Sequence, residues 1–272
     1  MENGEGWCYK DGSWTHVQDT LASETAFRIS IAGQPFTITM HSPGNEVELV
    51  HGLLFTEGVI SPEDIPLVIE NEHPASDGHV SGINVLSVPE RRDNALSSIR
   101  NLSSTSSCGM CGKTDLGSFP STPLHVHEAE LNPDVVPGLF DTMQQHQRDF
   151  AASGGTHAAA AFDQDGNLLT LKEDIGRHNA VDKVVGDLLL HGIIDQAVFL
   201  CVSGRISFEI VSKTAAAGIP VLASVSAPSN LAVSTALEHG LTLLAFCRQR
   251  KFTVYAHPGR LKGLAGLTVN KV

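Results

Sequence analysis

The chain is poor in cysteine, in basic residues and in long apolar runs, and each shortage excludes a class of protein. Its 272 residues include five cysteines, an odd and sparse number that does not fit the disulfide framework of a small secreted domain. No segment approaches the roughly 18 consecutive apolar residues of a membrane-spanning helix, so we expect no membrane span. Lys and Arg total 18 against 30 Asp and Glu, and a formal net charge of −12 argues against a protein that coats nucleic acid or an anionic membrane.

The remaining composition is that of an ordinary globular protein, with 42% hydrophobic and 18% charged residues. At about 150 residues per domain, the length predicts one large or two modest domains. Residues 1–14 lack the basic start and apolar stretch of a secretory signal peptide, so we expect a cytoplasmic protein. The predicted organisation is an N-terminal tail (1–23), a β-rich domain (24–100), a mobile connector that carries a cysteine pair (101–137) and an α/β domain (138–272).

The β-rich domain opens with two alternating segments, 27–31 and 36–40, separated by a Gly-Gln-Pro turn. This pattern predicts a β-hairpin. A turn at 42–46 and apolar residues at helical spacing then predict a helix that Gly58 ends.

The α/β domain alternates strand-like runs with helical patterns, which predicts a mostly parallel sheet with helices on both faces. The predicted strands are 158–163, 168–172, 197–202, 220–224, 242–247 and 253–255. The predicted helices are 180–190, 207–217 and 230–238, each followed by a glycine. The fold class is therefore α/β, with an α+β N-terminal part.

The sharpest local motif is the Cys-x-x-Cys pair of Cys108 and Cys111, flanked by glycines and preceded by a serine-rich run. The pair could be half of a zinc site completed by His125 and His127, or a thioredoxin-like dithiol. It could also carry a thiol on a mobile arm that accepts and hands over a group. The other cysteines fit the role of core thiols; they are Cys8, Cys201 and Cys247.

Three loops of the α/β domain each follow a predicted strand and open a helix: 173–179, 203–207 and 226–230. In a parallel sheet they share the carboxyl edge, where α/β folds bind ligands. Their hydroxyls, free helix N–H groups and two arginines suit an anion, which predicts a phosphate-bearing ligand. The candidate ligand-binding residues in these loops are Arg177, His178, Ser203, Arg205 and Ser226, with Lys183 and Lys213 one turn into the following helices. Helix capping by Asn179, Ser207 and Asn230 is the simpler alternative, but it leaves the arginines unexplained.

Three histidines are further candidates for the border of this cleft. His157 follows a double glycine that permits close backbone approach to a ligand, and His178 and His257 are candidates for the same cleft. We do not expect a zinc deaminase site, because Ala158 and Ala159 follow His157 in place of a His-x-Glu motif and no Pro-Cys-x-x-Cys motif follows.

Several of these segments resemble, in chain order, the motifs of the formate dehydrogenase accessory sulfurtransferase family, FdhD/NarQ. They are 39–60, 105–113, 154–160, 173–183, 203–209, 218–231 and 252–258. The resemblance covers nearly all of the chain beyond residue 24. One departure is His41, at a position where the family often has an arginine.

The resemblance implies a sulfur carrier that accepts persulfide sulfur from a cysteine desulfurase. The sulfur then passes to the bis-molybdopterin guanine dinucleotide form of the molybdenum cofactor, before that cofactor enters formate dehydrogenase. Cys108 would carry the persulfide, with Cys111 assisting or resolving, and the C-terminal domain would have a cytidine-deaminase-like mixed sheet. The stretch implied to bind the cofactor is Phe252, Thr253, Val254, Tyr255, Ala256 and His257. Expected partners are the desulfurase, formate dehydrogenase and a second copy of the chain. The alternatives to a sulfur carrier are a non-catalytic chaperone that only holds the molybdenum cofactor and a structural zinc protein.

Overall fold

A computed structural model describes residues 1–74, 80–88 and 130–269. The segment predicted as a tail forms a two-stranded antiparallel hairpin of β1 (Glu2–Lys10) and β2 (Ser13–Leu21). Trp7 and Trp14, the two tryptophans of the chain, are both exposed on this hairpin.

The N-terminal domain is a four-stranded sheet packed on one helix, in the strand order β4-β3-β6-β5. Its elements are β3 (Thr25–Ile31), β4 (Gln34–His41), α1 (Glu46–Thr56), β5 (Ile69–Pro74) and β6 (Val80–Val85). The predicted hairpin and helix are both confirmed. β3 pairs with β4 antiparallel and with β6 parallel.

The C-terminal domain is a six-stranded sheet in the order β12-β11-β10-β9-β7-β8. Its helices are α2 (Val135–His146), α3 (Arg148–Ser153), α4 (Arg177–Leu190), α5 (Phe208–Ala216) and α6 (Asn230–Glu238). Its strands are β7 (His157–Phe162), β8 (Leu168–Asp174), β9 (Phe199–Val202), β10 (Val221–Ser224), β11 (Thr242–Arg248) and β12 (Lys251–Ala256). All six predicted strands and all three predicted helices are present, and α2 begins inside the segment predicted as connector.

The sheet is mixed rather than mostly parallel. Only β9, β10 and β11 pair in parallel, because α5 and α6 cross over between them. Short turns join β7 to β8 and β11 to β12, and such turns require antiparallel neighbours. Among the described residues, no helix has the length and apolar character needed to cross a membrane.

Helices cover both faces of this sheet, as predicted. One face packs against α4, α5 and α6 through a core that includes Val181, Val184, Ile210 and Ala232. The opposite face packs against α2, whose Val136, Leu139 and Met143 are buried there.

Helices α1 and α4 join the two domains at a glycine-to-glycine crossing. A Cβ atom on Gly52 would overlap the backbone carbonyl oxygen of Asp182, and one on Gly186 would overlap that of Glu48. The two helix backbones therefore touch, which only glycine permits at both positions. This crossing holds the N-terminal domain against the helix that begins at the 173–179 loop.

Candidate functional site

The three predicted loops lie at one edge of the C-terminal sheet. β8, β9 and β10 all end at this edge, and β7 begins there, with His157 directly opposite Asp174 and Ala159 opposite Val202. The prediction of a shared carboxyl edge is confirmed.

Backbone and hydroxyl groups join the second and third loops. The Ile206 N–H donates to the Ala227 carbonyl (3.1 Å), and the Ser229 N–H donates to the Ile206 carbonyl (3.0 Å). Ser224 reinforces this contact, because its hydroxyl donates to the Gly204 carbonyl (2.6 Å) and accepts from the Ser226 N–H (2.9 Å). The two loops therefore form one rigid rim on which Ser203, Arg205 and Ser226 are held.

Arg177 brings the first loop to this rim. A Cβ atom on Gly204 would lie 3.3 Å from Arg177 Cδ and 3.4 Å from His157 Nδ1, so the three residues are packed side by side. Arg177 Nε is buried and has no hydrogen-bond partner within the described residues. An unsatisfied guanidinium donor is costly unless an acceptor fills its place, so this geometry fits an anionic ligand.

His157 packs beside Arg177. Burial lowers the pKa of His157, and the neighbouring Arg177 and His178 lower it further. The Ser203 hydroxyl accepts from the Ala158 N–H (2.9 Å) and lies 3.4 Å from His157 Nδ1. His157 is therefore held between Arg177 and the second loop.

His178 and Arg205 take different positions at this edge. His178 is buried, and its Nε2 lies 2.9 Å from Glu209 Oε2 and 3.4 Å from the Ser207 hydroxyl, at the start of α5. Arg205 is exposed and forms no ion pair within the described chain. Within the described part of the three loops, Arg177 and Arg205 are therefore the arginines that can be offered to a ligand.

Lys183 is taken up by a buried ion pair and does not reach the cleft. Its Nζ lies 2.7 Å from Asp174 Oδ2 and donates to the Ser42 carbonyl (2.8 Å). The Ser42 N–H also donates to Asp174 (3.1 Å), and Asn179 donates to Asp174 (3.1 Å) and to the Met40 carbonyl (2.8 Å). This network anchors the first loop to the N-terminal domain.

Lys213 is buried in the same way, so neither lysine is available to a ligand at the loop edge. Its Nζ lies 2.8 and 2.9 Å from the two carboxylate oxygens of Asp182 and 3.0 Å from the Thr56 hydroxyl. This contact links α1, α4 and α5, because each of the three residues lies on a different helix or at its end.

The stretch implied to bind the cofactor forms the edge strand of the sheet. Phe252 and Val254 pack toward α2, while Tyr255 packs toward the opposite core. Ala256 is fully buried, so neither its side chain nor its backbone is exposed to a ligand. Thr253 is exposed, and the outer backbone groups of an edge strand are available to a ligand or a partner.

His257 lies at the end of the sheet away from the three loops, near the first residues of β11. This position corrects the expectation that it borders the same cleft as His178. β12 runs antiparallel to β11, so its end returns to the level of Thr242, whose hydroxyl donates to the His257 carbonyl (2.9 Å). Phe246, four residues farther along β11, donates to the Ser226 carbonyl at the loop edge. Four residues of strand span about 13 Å.

Two of the three cysteines predicted as core thiols are buried, and the third is exposed. Cys108 and Cys111 lie outside the described residues. Cys201 and Cys247 are core thiols, and burial raises the pKa of Cys201 well above its usual value and that of Cys247 to about 12. Cys8 is exposed on the N-terminal hairpin, so its assignment to the core is wrong, because β1 packs against no core on either face.

Sequence reasoning missed Ser224, which it treated only as the last residue of a strand. A serine that ends an apolar strand at the carboxyl edge is the signal that could have identified it. It also missed Phe246, a bulky residue with a φ of 55° at a register shift next to the loops. β-bulges of this kind occur next to ligand sites, where they redirect the strand.

Comparisons with known proteins all point to the same protein family. The family model "FdhD/NarQ family" matches residues 22–262. "Sulfur carrier protein FdhD" of Nocardia farcinica is 43% identical over 92% of this chain and 91% of the relative. The protein of that name from Streptomyces avermitilis is 40% identical over 93% and 92%.

A solved structure agrees at the level of the fold. A putative formate dehydrogenase accessory protein from Desulfotalea psychrophila matches with a TM-score of 0.73 and 23% identity, over 96% of this chain and 98% of that one. The chain belongs to the FdhD/NarQ family.

Proposed function

We propose that this protein is a sulfur carrier for the maturation of formate dehydrogenase. It accepts persulfide sulfur from a cysteine desulfurase on Cys108 and passes it to the bis-molybdopterin guanine dinucleotide form of the molybdenum cofactor. The names of its relatives support the sulfur-carrier role. The cofactor is a substrate in this scheme.

The observation that carries the acceptor part of the proposal is the pair of arginines at the loop edge. Arg177 holds a buried donor without a partner in the described structure, and Arg205 is exposed on the adjoining loop. The overall charge of −12 makes such a local cluster distinctive. Pyrophosphate groups of a guanine dinucleotide supply the acceptors that these side chains and the helix N–H groups can bind.

The first transfer is an exchange between sulfur atoms. The Cys108 thiolate attacks the terminal sulfur of the desulfurase persulfide, which forms one S–S bond and breaks another. The desulfurase cysteine leaves as a thiolate, and Cys108 becomes the persulfide. Cys111 assists or resolves this species. Binding of the acceptor at the loop edge then makes delivery effectively intramolecular.

Persulfide loading tests the carrier assignment. The protein is incubated with a cysteine desulfurase and cysteine, and mass spectrometry looks for one added sulfur on the Cys108 peptide. The Cys108→Ala variant should not load, whereas Cys8→Ala should load normally because Cys8 is exposed but lies on the N-terminal hairpin. Loading on Cys8 instead of Cys108 would overturn the assignment.

Nucleotide titration tests the acceptor site independently. Arg177→Gln should weaken the binding of guanosine diphosphate about tenfold or more, because a charge-assisted hydrogen bond is lost. Arg28→Gln is the matched control, since Arg28 is exposed on the N-terminal sheet beside Glu72. Equal affinity in both variants would exclude the loop edge as the nucleotide site.

Two finer features belong to the same proposal. The cytidine-deaminase-like layout is supported by the mixed sheet with helices on both faces. A homodimer is the expected assembly, and light scattering on the purified protein would test it.

A further inference from the structure

Residues 248–251, called here the basic turn, connect β11 to β12 and concentrate positive charge. Arg248, Arg250 and Lys251 are three of only 18 basic residues in a chain of net charge −12, and all three are exposed. Such density of one charge in an acidic protein requires an explanation.

The basic turn is locally unfavourable in two ways. Gln249 and Arg250 have φ angles of 53° and 57°, a left-handed pair that favours asparagine and glycine. Arg248 and Lys251 are directly opposite each other across the hairpin, and like charges in that arrangement repel. Sequences tend to break such local rules at functional sites.

Ion pairs within the described chain do not relieve this repulsion. The three cations form no ion pair among the described residues, although Asp141 lies on the nearby face of α2. Within the described residues, the three charges are therefore not neutralised by an ion pair.

The basic turn borders a cavity of about 120 Å³ between the hairpin and α2. Apolar groups of Val136, Pro137, Phe140 and Phe252 line it, and the buried Cys247 lies beside them. The site thus combines apolar walls with a rim that carries three positive charges and one carboxylate, that of Asp141. Its net positive charge and apolar walls suit an apolar side chain flanked by carboxylates.

The same hairpin touches the candidate site. The Phe246 N–H donates to the Ser226 carbonyl (3.1 Å), and the register shift beyond Ala245 redirects the strand as it enters the basic turn. The basic turn therefore begins two residues after a backbone contact with the 226–230 loop.

We propose that the basic turn and its cavity form a docking site for an acidic segment of a partner protein. Carboxylates of that segment pair with Arg248, Arg250 and Lys251, and an apolar side chain between them enters the cavity against Phe140. A phosphate group alone would leave the apolar walls unused, which favours a polypeptide. This inference does not depend on the proposed sulfur transfer.

A labelled acidic heptapeptide with a central leucine and glutamates on both sides is the probe. Fluorescence anisotropy with the full chain should show saturable binding that weakens as salt is added. The combined variant Arg248→Gln, Arg250→Gln, Lys251→Gln should bind about tenfold more weakly or worse. Lys262→Gln, an exposed lysine outside the turn, should bind like the unaltered protein.

Two further experiments test the role of the apolar side chain and distinguish a peptide site from a phosphate site. Replacing the central leucine of the peptide with serine should weaken binding, because the cavity would then hold a polar group. Equal affinity of the combined variant, or no binding by the unaltered protein, would overturn the proposal. Displacement of the peptide by inorganic pyrophosphate at equal concentration would make the turn a phosphate subsite instead.

Discussion

Replacing Gly52 with alanine tests the helix crossing that joins the two domains. The added methyl group would overlap the Asp182 carbonyl oxygen on α4, so the helices must separate or shift. Gly138→Ala is the matched control, because Gly138 lies within α2 and a Cβ atom there would meet nothing within 4 Å.

We expect the two substitutions to change the free energy of unfolding in opposite directions. Alanine is favoured over glycine in a helix interior by about 1 kcal/mol, so Gly138→Ala should stabilise the protein by up to that amount. At Gly52 the same gain is opposed by a steric overlap. Inserting an extra methyl group into a packed core typically costs about 1–3 kcal/mol, and we expect a cost at the upper end because the group that it meets is backbone. We expect a net loss of about 2 kcal/mol, because neither helix backbone can move without disturbing its own domain.

Urea unfolding followed by far-UV circular dichroism measures this difference. Tryptophan fluorescence is unsuitable, because Trp7 and Trp14 are 68% and 64% exposed on the N-terminal hairpin. If Gly52→Ala is as stable as Gly138→Ala, the crossing is not the close contact described above. Gly186→Ala should reproduce the effect of Gly52→Ala from the other helix.

Three further changes probe charge and hydrogen bonding. Lys213→Met should lower the free energy of unfolding by about 3–5 kcal/mol, because it leaves the Asp182 carboxylate buried without its partner. Urea unfolding measures this loss, and a loss below about 1 kcal/mol would contradict the prediction. His51 accepts from the Leu67 N–H through Nε2 and donates to the Val47 carbonyl through Nδ1, and burial lowers its pKa from 6.5. The unfolded chain therefore binds the proton more readily, so stability should fall as pH drops below about 6.5, and His51→Gln should flatten that decline in urea midpoints. Arg177→Gln should leave the unfolding midpoint nearly unchanged while it weakens nucleotide binding, and a large loss of stability would mean that Arg177 has a structural role.

Local periodicity predicted β3, β4 and α1 of the N-terminal domain and β7 to β12 with α4 to α6 of the C-terminal domain, because each of these elements has a buried face. It did not predict β5, β6, α2 or α3. The hairpin 27–40 and the helix 230–238 are examples. The β1–β2 hairpin was not predicted, since most of its side chains are exposed and leave no apolar alternation to read.

Contacts between residues that are distant in sequence determine the features of the site that the sequence did not predict. Lys183 and Lys213 follow the predicted anion loops, but Ser42 and Thr56, more than a hundred residues earlier, help to bury them in ion-paired networks. The position of His257 depended on the direction of β12, which the tight turn at Gln249 and Arg250 reverses. Arg177 and Arg205 were identified because their loops follow strands that end at the same edge.

The most direct test of the account follows radioactive sulfur from carrier to acceptor. The protein is loaded by a cysteine desulfurase with labelled cysteine, and the label transferred to the guanine dinucleotide cofactor is then measured. The account predicts transfer by the unaltered protein, no loading by Cys108→Ala, and normal loading but impaired transfer by Arg177→Gln. Full transfer by Arg177→Gln, or loading of Cys108→Ala, would contradict it.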